Sequence, residues 1–406
     1  MLLNEEEIVK YSSSSKWIML ILATVVQASA TLITYGVGVL AIFWKQKYIL
    51  TTMQVGLLIS VVNIGPLFCM LFVGRLLDRY SERVLIGSSS VLLGISLLFV
   101  NVVGGFVGLL FILLLVGVFY STSQPGGSKI ILKWFPKENR GLAMGIRQAG
   151  IPIGGAIAGF IIPLLSYKFS LSCTIYVLSS VCILGGIVFL MFYKEPYAHR
   201  GSSQQNKKTS FGVQLKQVIC TKSLYPVFIT GICMISLQMV LVGHFLKFLV
   251  VVKSITPILA GEIFSITLFS GMIGRIILAV ISDVVYKGNR RMPLLISVCI
   301  SCLLIVVLII TIHNIAIGGL FLLSSLLGFF AIGWFSLFMT EITEKANEEV
   351  VGLTVSFALT LNQVAIMIAP TFFGYIVDGK GYMYAWGGFV VLLFISSVSL
   401  YVSNKR

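Results

Sequence analysis

Charged residues are scarce in this 406-residue sequence: they make up 11 % of it, against 58 % apolar. A soluble globular domain carries about 25 % charged residues, so that class is excluded. No G-x-x-x-x-G-K-S/T phosphate loop occurs, and direct drive by a nucleoside triphosphate is excluded with it. The apolar segments hold no Ser/His/Asp set, metal-ligand cluster or pair of carboxylates, so neither an enzyme nor a cofactor is expected. The seven cysteines are an odd number. Cys299-x-x-Cys302 has no matching Cys or His pair and reads as packing rather than a metal site.

What the chain has in quantity is long apolar runs of roughly 20 residues, the length that crosses about 30 Å of hydrocarbon. Without water to satisfy the backbone, such runs must be helical. The fold class is therefore all-α integral membrane. Twelve helices are predicted, near 17–40, 54–74, 84–103 and 106–132, from 141 onward and ending at 193, then near 224–249, 257–281, 293–312, 315–340, 351–377 and 384–402. They fall into two six-helix bundles, 17–193 and 223–402. A polar stretch, 194–222, reads as a flexible linker, and short tails, 1–16 and 403–406, close the chain. Gln27-Ala28-Ser29-Ala30 has the look of a signal-peptidase site, but the apolar run continues past it and reads as a retained first helix.

The net charge of +15 could suggest nucleic acid. Its distribution excludes that. With loops placed alternately on two sides, only Lys45, Lys47, Lys168, Lys247, Lys253 and Lys380 fall opposite the N-terminus. Lys129, Arg147 and Arg275 fall inside helices, and the rest of the 29 Lys/Arg lie on the N-terminal side. This asymmetry puts both termini in the cytoplasm. The excess charge reads as a topology signal and a contact with lipid headgroups, not as a ligand site.

One charged island interrupts the apolar pattern, Gly74-Arg75-Leu76-Leu77-Asp78-Arg79-Tyr80-Ser81-Glu82-Arg83. A weaker copy, Ser282-Asp283 to Arg290-Arg291, follows about half a chain later, and Pro163 and Pro370 repeat at a similar interval. Duplicated helix bundles produce such spacing. The island resembles the G-x-L-x-D-R-x-G-R loop signature of the major facilitator superfamily, found between its helices 2 and 3. Ser81 stands where the pattern prefers Gly, and no Arg directly follows Asp283. The resemblance implies two pseudo-symmetric six-helix bundles that work by alternating access, in the plasma (inner) membrane. It also implies a gating role for Asp78, Arg79 and Asp283, with the aspartates locking an outward-facing state.

Ionisable groups inside a bilayer are costly and need a reason. Arg275 lies two turns inside the eighth helix, and guanidinium is well shaped to hold a carboxylate in a fork. Gly274-Arg275 with Ser282-Asp283 resembles the pattern of monocarboxylate and oxalate/formate-type transporters, in which this Arg binds substrate. Tyr35-Gly36-Val37-Gly38-Val39, Lys133-Trp134-Phe135-Pro136, Arg140-Gly141-Leu142-Ala143 and Gly243-His244-Phe245-Leu246 agree with that group. The alternative for Arg275 is an ion pair with Asp283.

Thr24, Gln27, Thr31, Thr34 and Tyr35 form a polar stripe on the first helix. Gln27, Tyr35, Asn63 and Gln124 are expected to orient the substrate, in a cavity lined by helices 1, 4, 7 and 10. Arg147 is either a second arm of an anion clamp or a partner of Glu341. Lys129 either joins the site or snorkels outward. The eleventh helix lacks the lysine of the oxalate-type carriers and offers Thr360, Asn362 and Gln363, which points to a monoanion. His244 and Glu262 are expected to couple protons, since imidazole changes charge near neutral pH. The alternatives are a packed histidine and an interfacial acid at a helix N-terminus.

The expectation is a monomeric secondary active transporter moving a small organic anion, a monocarboxylate, with protons. A proton-coupled drug exporter is the alternative. Gly150-Ile151-Pro152-Ile153-Gly154-Gly155 is similar to that family's helix-5 motif, although Leu113 occupies its helix-4 Arg position and the first helix has no acid. A membrane sensor that binds without transporting is the third class.

Overall fold

The computed structural model describes residues 13–50, 52–195 and 210–404. The expected N-terminal tail up to residue 12, the 196–209 part of the expected linker and the last two residues lie outside them. Fifteen α-helices run through the described residues: α1 (Ser13–Tyr48), α2 (Thr52–Arg79), α3 (Glu82–Leu98), α4 (Gly105–Tyr120), α5 (Ser123–Trp134), α6 (Arg140–Lys168), α7 (Leu171–Phe192), α8 (Phe211–Cys220), α9 (Tyr225–Val252), α10 (Pro257–Val284), α11 (Arg291–Thr311), α12 (Ile317–Gly333), α13 (Phe335–Lys345), α14 (Val351–Lys380) and α15 (Tyr382–Asn404). Twelve spans among them are long and apolar enough to cross a membrane. The protein is an all-α, multi-pass membrane protein.

Where helices differ from expectation, a local cause is visible. α1 continues past residue 40 because its inner face stays apolar as far as fully buried Trp44. Lys45 and Lys47 occupy its last turn, where cations suit the helix dipole. The chain then leaves the helix through Ile49, at φ +52°. The expected linker contains α8, whose buried Gln214 and Val218 lie one turn apart on one face. Phe211 at its start stacks on Phe72 at 5.5 Å and carries the Arg75 guanidinium at 5.3 Å.

The fourth expected helix is two, α4 and α5. At the break the Ser121 and Thr122 hydroxyls donate to the carbonyls of Val118 and Phe119, three residues back. Such local bonds compete with the helix ladder and bend it. Pro125 sits in the first turn of α5, where its missing N–H is not needed. The tenth expected helix breaks likewise at Trp334, giving α12 and α13.

By packing, the chain divides into two units. Unit 1 comprises Met1–Pro136, Gly150–Val218 and Asn347–Ser356, and unit 2 comprises Lys137–Ala149, Ile219–Ala346 and Phe357–Arg406. α6 therefore opens in unit 2 and continues in unit 1, and α14 does the reverse. In unit 1, α2 packs on α4 and α3 on α7. Its core joins Ile33, Leu40 and Trp44 of α1 to Leu93 and Leu97 of α3, Leu109 and Leu113 of α4 and Leu178 of α7. In unit 2, α10 packs on α12, and α15 packs on both α9 and α11.

Candidate functional site

A helix of any sequence starts with amide N–H groups that lack partners within the helix. Each of the two aspartates from the repeated island satisfies such a pair. In unit 1, Asp78 ends α2 and accepts from Gly352 N–H at 2.7 Å and Leu353 N–H at 2.9 Å, in the first turn of α14. In unit 2, Asp283 ends α10 and accepts from Gly141 N–H at 3.2 Å and Leu142 N–H at 2.7 Å, in the first turn of α6. A carboxylate at a helix N-terminus meets both the free donors and the positive end of the helix dipole.

Both junctions need glycine. A β-carbon on Gly352 would lie 2.6 Å from Gly74 O and 2.8 Å from Asp78 Oδ1. One on Gly141 would lie 2.7 Å from both Ala279 O and Asp283 Oδ1.

Each aspartate also has a cation. Lys129 Nζ approaches Asp78 Oδ1 at 3.4 Å and Glu82 Oε1 at 3.2 Å, and donates to Leu77 O. Lys133 reaches the same glutamate at 2.7 Å. Asp283 pairs with Arg290, whose side chain is fully buried. Arg290 also donates to Ser282 Oγ at 3.1 Å, to Lys137 O at 2.7 Å and to Glu344 at 3.2 Å. Burial alone would weaken this guanidinium, but its bonds and ion pairs with Glu344 and Asp283 hold it above the usual arginine range. Arg79 is exposed at the end of α2, whereas Arg83 reaches back to Leu190 O and Met191 O at the end of α7.

The interior of unit 2 gathers a second set of polar groups. Arg275, 5 % exposed in α10, donates from Nη1 to Gln148 O at 3.1 Å and from Nε to Ile332 O at 3.4 Å. Its guanidinium lies over Phe335 at 5.4 Å. Asp283 takes Arg290 rather than Arg275 as its cation. The α12–α13 break reaches Arg275 through Phe335 and through Ser336, whose Oγ donates to Arg275 O at 2.6 Å; at the same break Trp334 Nε1 donates to Gln238 Oε1 of α9 at 3.2 Å. Trp334 and Phe335 each pack on Phe338. Phe338 and Asn362 of α14 close over Gly231, where a β-carbon would lie 2.9 Å from Asn362 Oδ1. Asn362 is 2 % exposed, and neither end of its amide has a hydrogen-bond partner among the described residues.

Arg147 is buried in the unit 2 part of α6, beside the Gln148 whose carbonyl Arg275 uses. Glu341, weighed above as its partner, is held by Arg291 at 2.8 Å and Lys345 at 3.3 Å. His244, half-buried in α9, lies 3.0 Å from Pro370 O through Nε2 and packs on Phe373 at 5.1 Å. Glu262 is exposed on α10.

The other expected substrate ligands belong to unit 1. Gln27 is buried and donates to Tyr120 Oη at 3.4 Å. Tyr35 is exposed and lies against Gly155. Asn63 is half-buried in α2, and Gln124 is buried in α5.

Sequence reasoning missed Gln238, Trp334 and Phe335. Gln238 alone carried a signal, as an amide in a nearly all-apolar helix. It also counted Arg290, Lys133 and Glu82 as loop charge rather than as parts of the aspartate junctions.

A sequence model of the Major Facilitator Superfamily matches residues 21–370. Among characterised proteins, a probable galactarate/D-glucarate transporter, GudP, of Escherichia coli is 25 % identical, covering 76 % of this chain and 75 % of its own. A hexuronate transporter of Bacillus subtilis is 25 % identical over 85 % of this chain and 84 % of its own. Among solved structures, the E. coli fucose:proton symporter FucP superposes with a TM-score of 0.76 at 14 % identity, covering 96 % of this chain and 99 % of that one.

Proposed function

The chain belongs to the Major Facilitator Superfamily, and from that premise we propose that it is a proton-coupled carrier of a hydroxylated organic acid of the sugar-acid class. The observation that carries this reading is the interior of unit 2. It holds a buried guanidinium, Arg275, over the Phe335 ring, and a buried amide, Asn362, that has no partner among the described residues. Leaving the polar atoms of a buried amide unmatched costs about 1–3 kcal/mol each, so a group able to fill both roles is favoured there. A sugar acid has a carboxylate for Arg275 and hydroxyls that donate and accept for Asn362 and Gln238. A plain short-chain monocarboxylate, the narrower expectation from sequence, has only the first. The relatives named for glucarate and hexuronate support the wider class.

In this reading the carrier sits in the plasma membrane with its basic loops on the cytoplasmic side. It works by alternating access, and Asp78 and Asp283 form junctions made in one state and released in another. Proton coupling draws on the fucose:proton symporter that shares the fold, with His244 as the group that carries the proton. Gln27, Tyr35, Asn63, Gln124 and Lys129 are proposed as polar groups of the transport path in unit 1, and Arg147 as a second cation for the acid.

Uptake of labelled glucarate, galacturonate, lactate and formate into proteoliposomes, with and without an inward proton gradient, tests the reading. Sugar-acid uptake driven by the gradient is expected, with lactate and formate poor. Arg275→Lys is expected to lower uptake of every acid, because an ammonium cannot make the fork. Asn362→Ala is expected to lower sugar-acid uptake by roughly tenfold or more while leaving any lactate uptake in place, since a site that bonds hydroxyls discriminates strongly. Equal uptake of lactate and glucarate would remove the sugar-acid class, and full uptake by Arg275→Lys would remove the fork.

A further inference from the structure

An open pocket of about 570 Å³ lies in unit 2, away from the Arg275 interior. Its cations are Lys137, Arg140, Lys287, Arg290, Arg291 and Lys345, and its acids are Glu341 and Glu344. Six positive groups therefore face two negative ones, and the two are already engaged. Glu344 is bonded by Arg290 at 3.2 Å and approached by Arg140 at 3.8 Å. Glu341 is held by Arg291 and Lys345. The amides that open α6 are taken as well, by Asp283.

Lys137 and Lys287 are different. Both are exposed, and among the described residues neither side chain has an ion pair or hydrogen bond. The tight turn that joins α10 to α11 passes through left-handed backbone at Lys287 and Gly288, with φ +50° and +80°. With no side chain at Gly288, the Lys137 stem lies against it: a β-carbon there would be 3.4–3.8 Å from the Lys137 carbons. Two uncompensated ammonium groups are thus brought to one turn, beside an Arg cluster whose carboxylates are used up.

The pocket also sits at a particular depth. Its lining falls where the spans Leu259–Val284 and Ile317–Lys345 end and the spans Lys137–Lys168 and Arg291–Thr311 begin. That is the level of lipid headgroups, where basic pockets at helix ends take phosphates.

We infer that this pocket binds a phosphate-bearing anion, recognised by Lys137 and Lys287. The source is either the headgroup of an anionic lipid or a free phosphate; the chemistry is shared. Occupancy would bear on the α10–α6 junction, because Arg290 bonds both Lys137 O and Asp283.

The test is thermal unfolding of the full chain in uncharged detergent, titrated separately with phosphatidylglycerol, inorganic phosphate and uncharged diacylglycerol. A rise in midpoint with phosphatidylglycerol and none with diacylglycerol is expected. Each lysine near a charged surface is worth about fivefold, so Lys137→Ala with Lys287→Ala should raise the half-saturating concentration about 30-fold. Lys216→Ala with Lys222→Ala, exposed lysines outside the pocket, should leave it unchanged. If inorganic phosphate stabilises as phosphatidylglycerol does, and through the same two lysines, the site holds and its source is soluble. If only phosphatidylglycerol does, the source is lipid. Should the alanine pair fail to fold, Lys137→Gln with Lys287→Gln carries the same expectation. The inference is overturned if neither anion raises the midpoint, if diacylglycerol raises it equally, or if both lysine pairs lose affinity alike.

Discussion

Replacing Asp78 by Asn alters little volume and removes one charge from a junction made of two amide donors. A hydrogen bond to a charged acceptor contributes about 1.5–3 kcal/mol. Asp78 accepts two of them, at 2.7 and 2.9 Å, from the first turn of α14. Asn keeps one acceptor oxygen but turns an N–H toward the other donor, and it gives up the attraction of the helix dipole. The expected loss is about 2–4 kcal/mol. Lys129 would retain Glu82 at 3.2 Å, so no cation is stranded. A shift of that size changes a two-state equilibrium by roughly 30-fold or more.

If the junction is made in one transport state and released in another, Asp78→Asn slows the cycle while leaving the substrate's own contacts intact. Initial uptake rates in proteoliposomes, compared with equilibrium binding of the same labelled sugar acid, read the two separately. Turnover is expected to fall roughly tenfold or more, with affinity changed by less than about threefold. Binding and turnover falling in proportion would refute the junction as a state-dependent contact. So would unchanged turnover in a variant whose unfolding midpoint has dropped, since the bonds would then be structural only.

Gly352→Ala and Gly141→Ala should reproduce the transport defects of Asp78→Asn and Asp283→Asn. In each, the new methyl group would press on the aspartate within 2.8 Å, and wild-type uptake rates would contradict the close approach. Arg290→Ala should leave Asp283 and Glu344 buried without their shared cation, at a cost of about 3–5 kcal/mol. Thermal unfolding in detergent should show a marked drop in midpoint, partly recovered by Arg290→Lys. Arg275→Lys gives up part of the bonding to Gln148 O and Ile332 O and should lower that midpoint, but uptake per folded protein should fall further, which separates a substrate contact from a structural one.

Much of this molecule could be read along the chain because membrane helices obey one-dimensional rules. The lengths of the apolar runs predict twelve spans, and twelve are found among the described residues. The repeated Asp78 and Asp283 stand out because an acid has no topological reason to sit in a basic loop. The breaks at Thr122 and Trp334 were not legible, since the more polar stretch that follows each one reads along the chain as the polar end of a single span. α8 was hidden for the opposite reason: its burial depends on Phe72 and Arg75, far away in sequence.

The candidate site divides in the same way. Arg275 is conspicuous alone, as a guanidinium two turns inside a span. Phe335 is an ordinary residue until the α12–α13 break brings it beside Arg275, and so are Trp334 and Gln238 until the same break joins them. Arg290 looked like one more loop charge, and its bonds to Asp283, Glu344 and Lys137 O draw on three separate parts of the sequence.

Hydropathy and charge asymmetry act locally on each segment, so composition and order alone determined the membrane class, the number of spans and the loops that carry the repeated acid. Which donors meet Asp78 and Asp283 depends on distances of a few ångströms between segments more than a hundred residues apart, and which cations pair with which carboxylates, and which lysines are left over, depends on equally short distances between different helix ends. Those distances are set by side-chain packing of whole helices, and only the tertiary structure decided them.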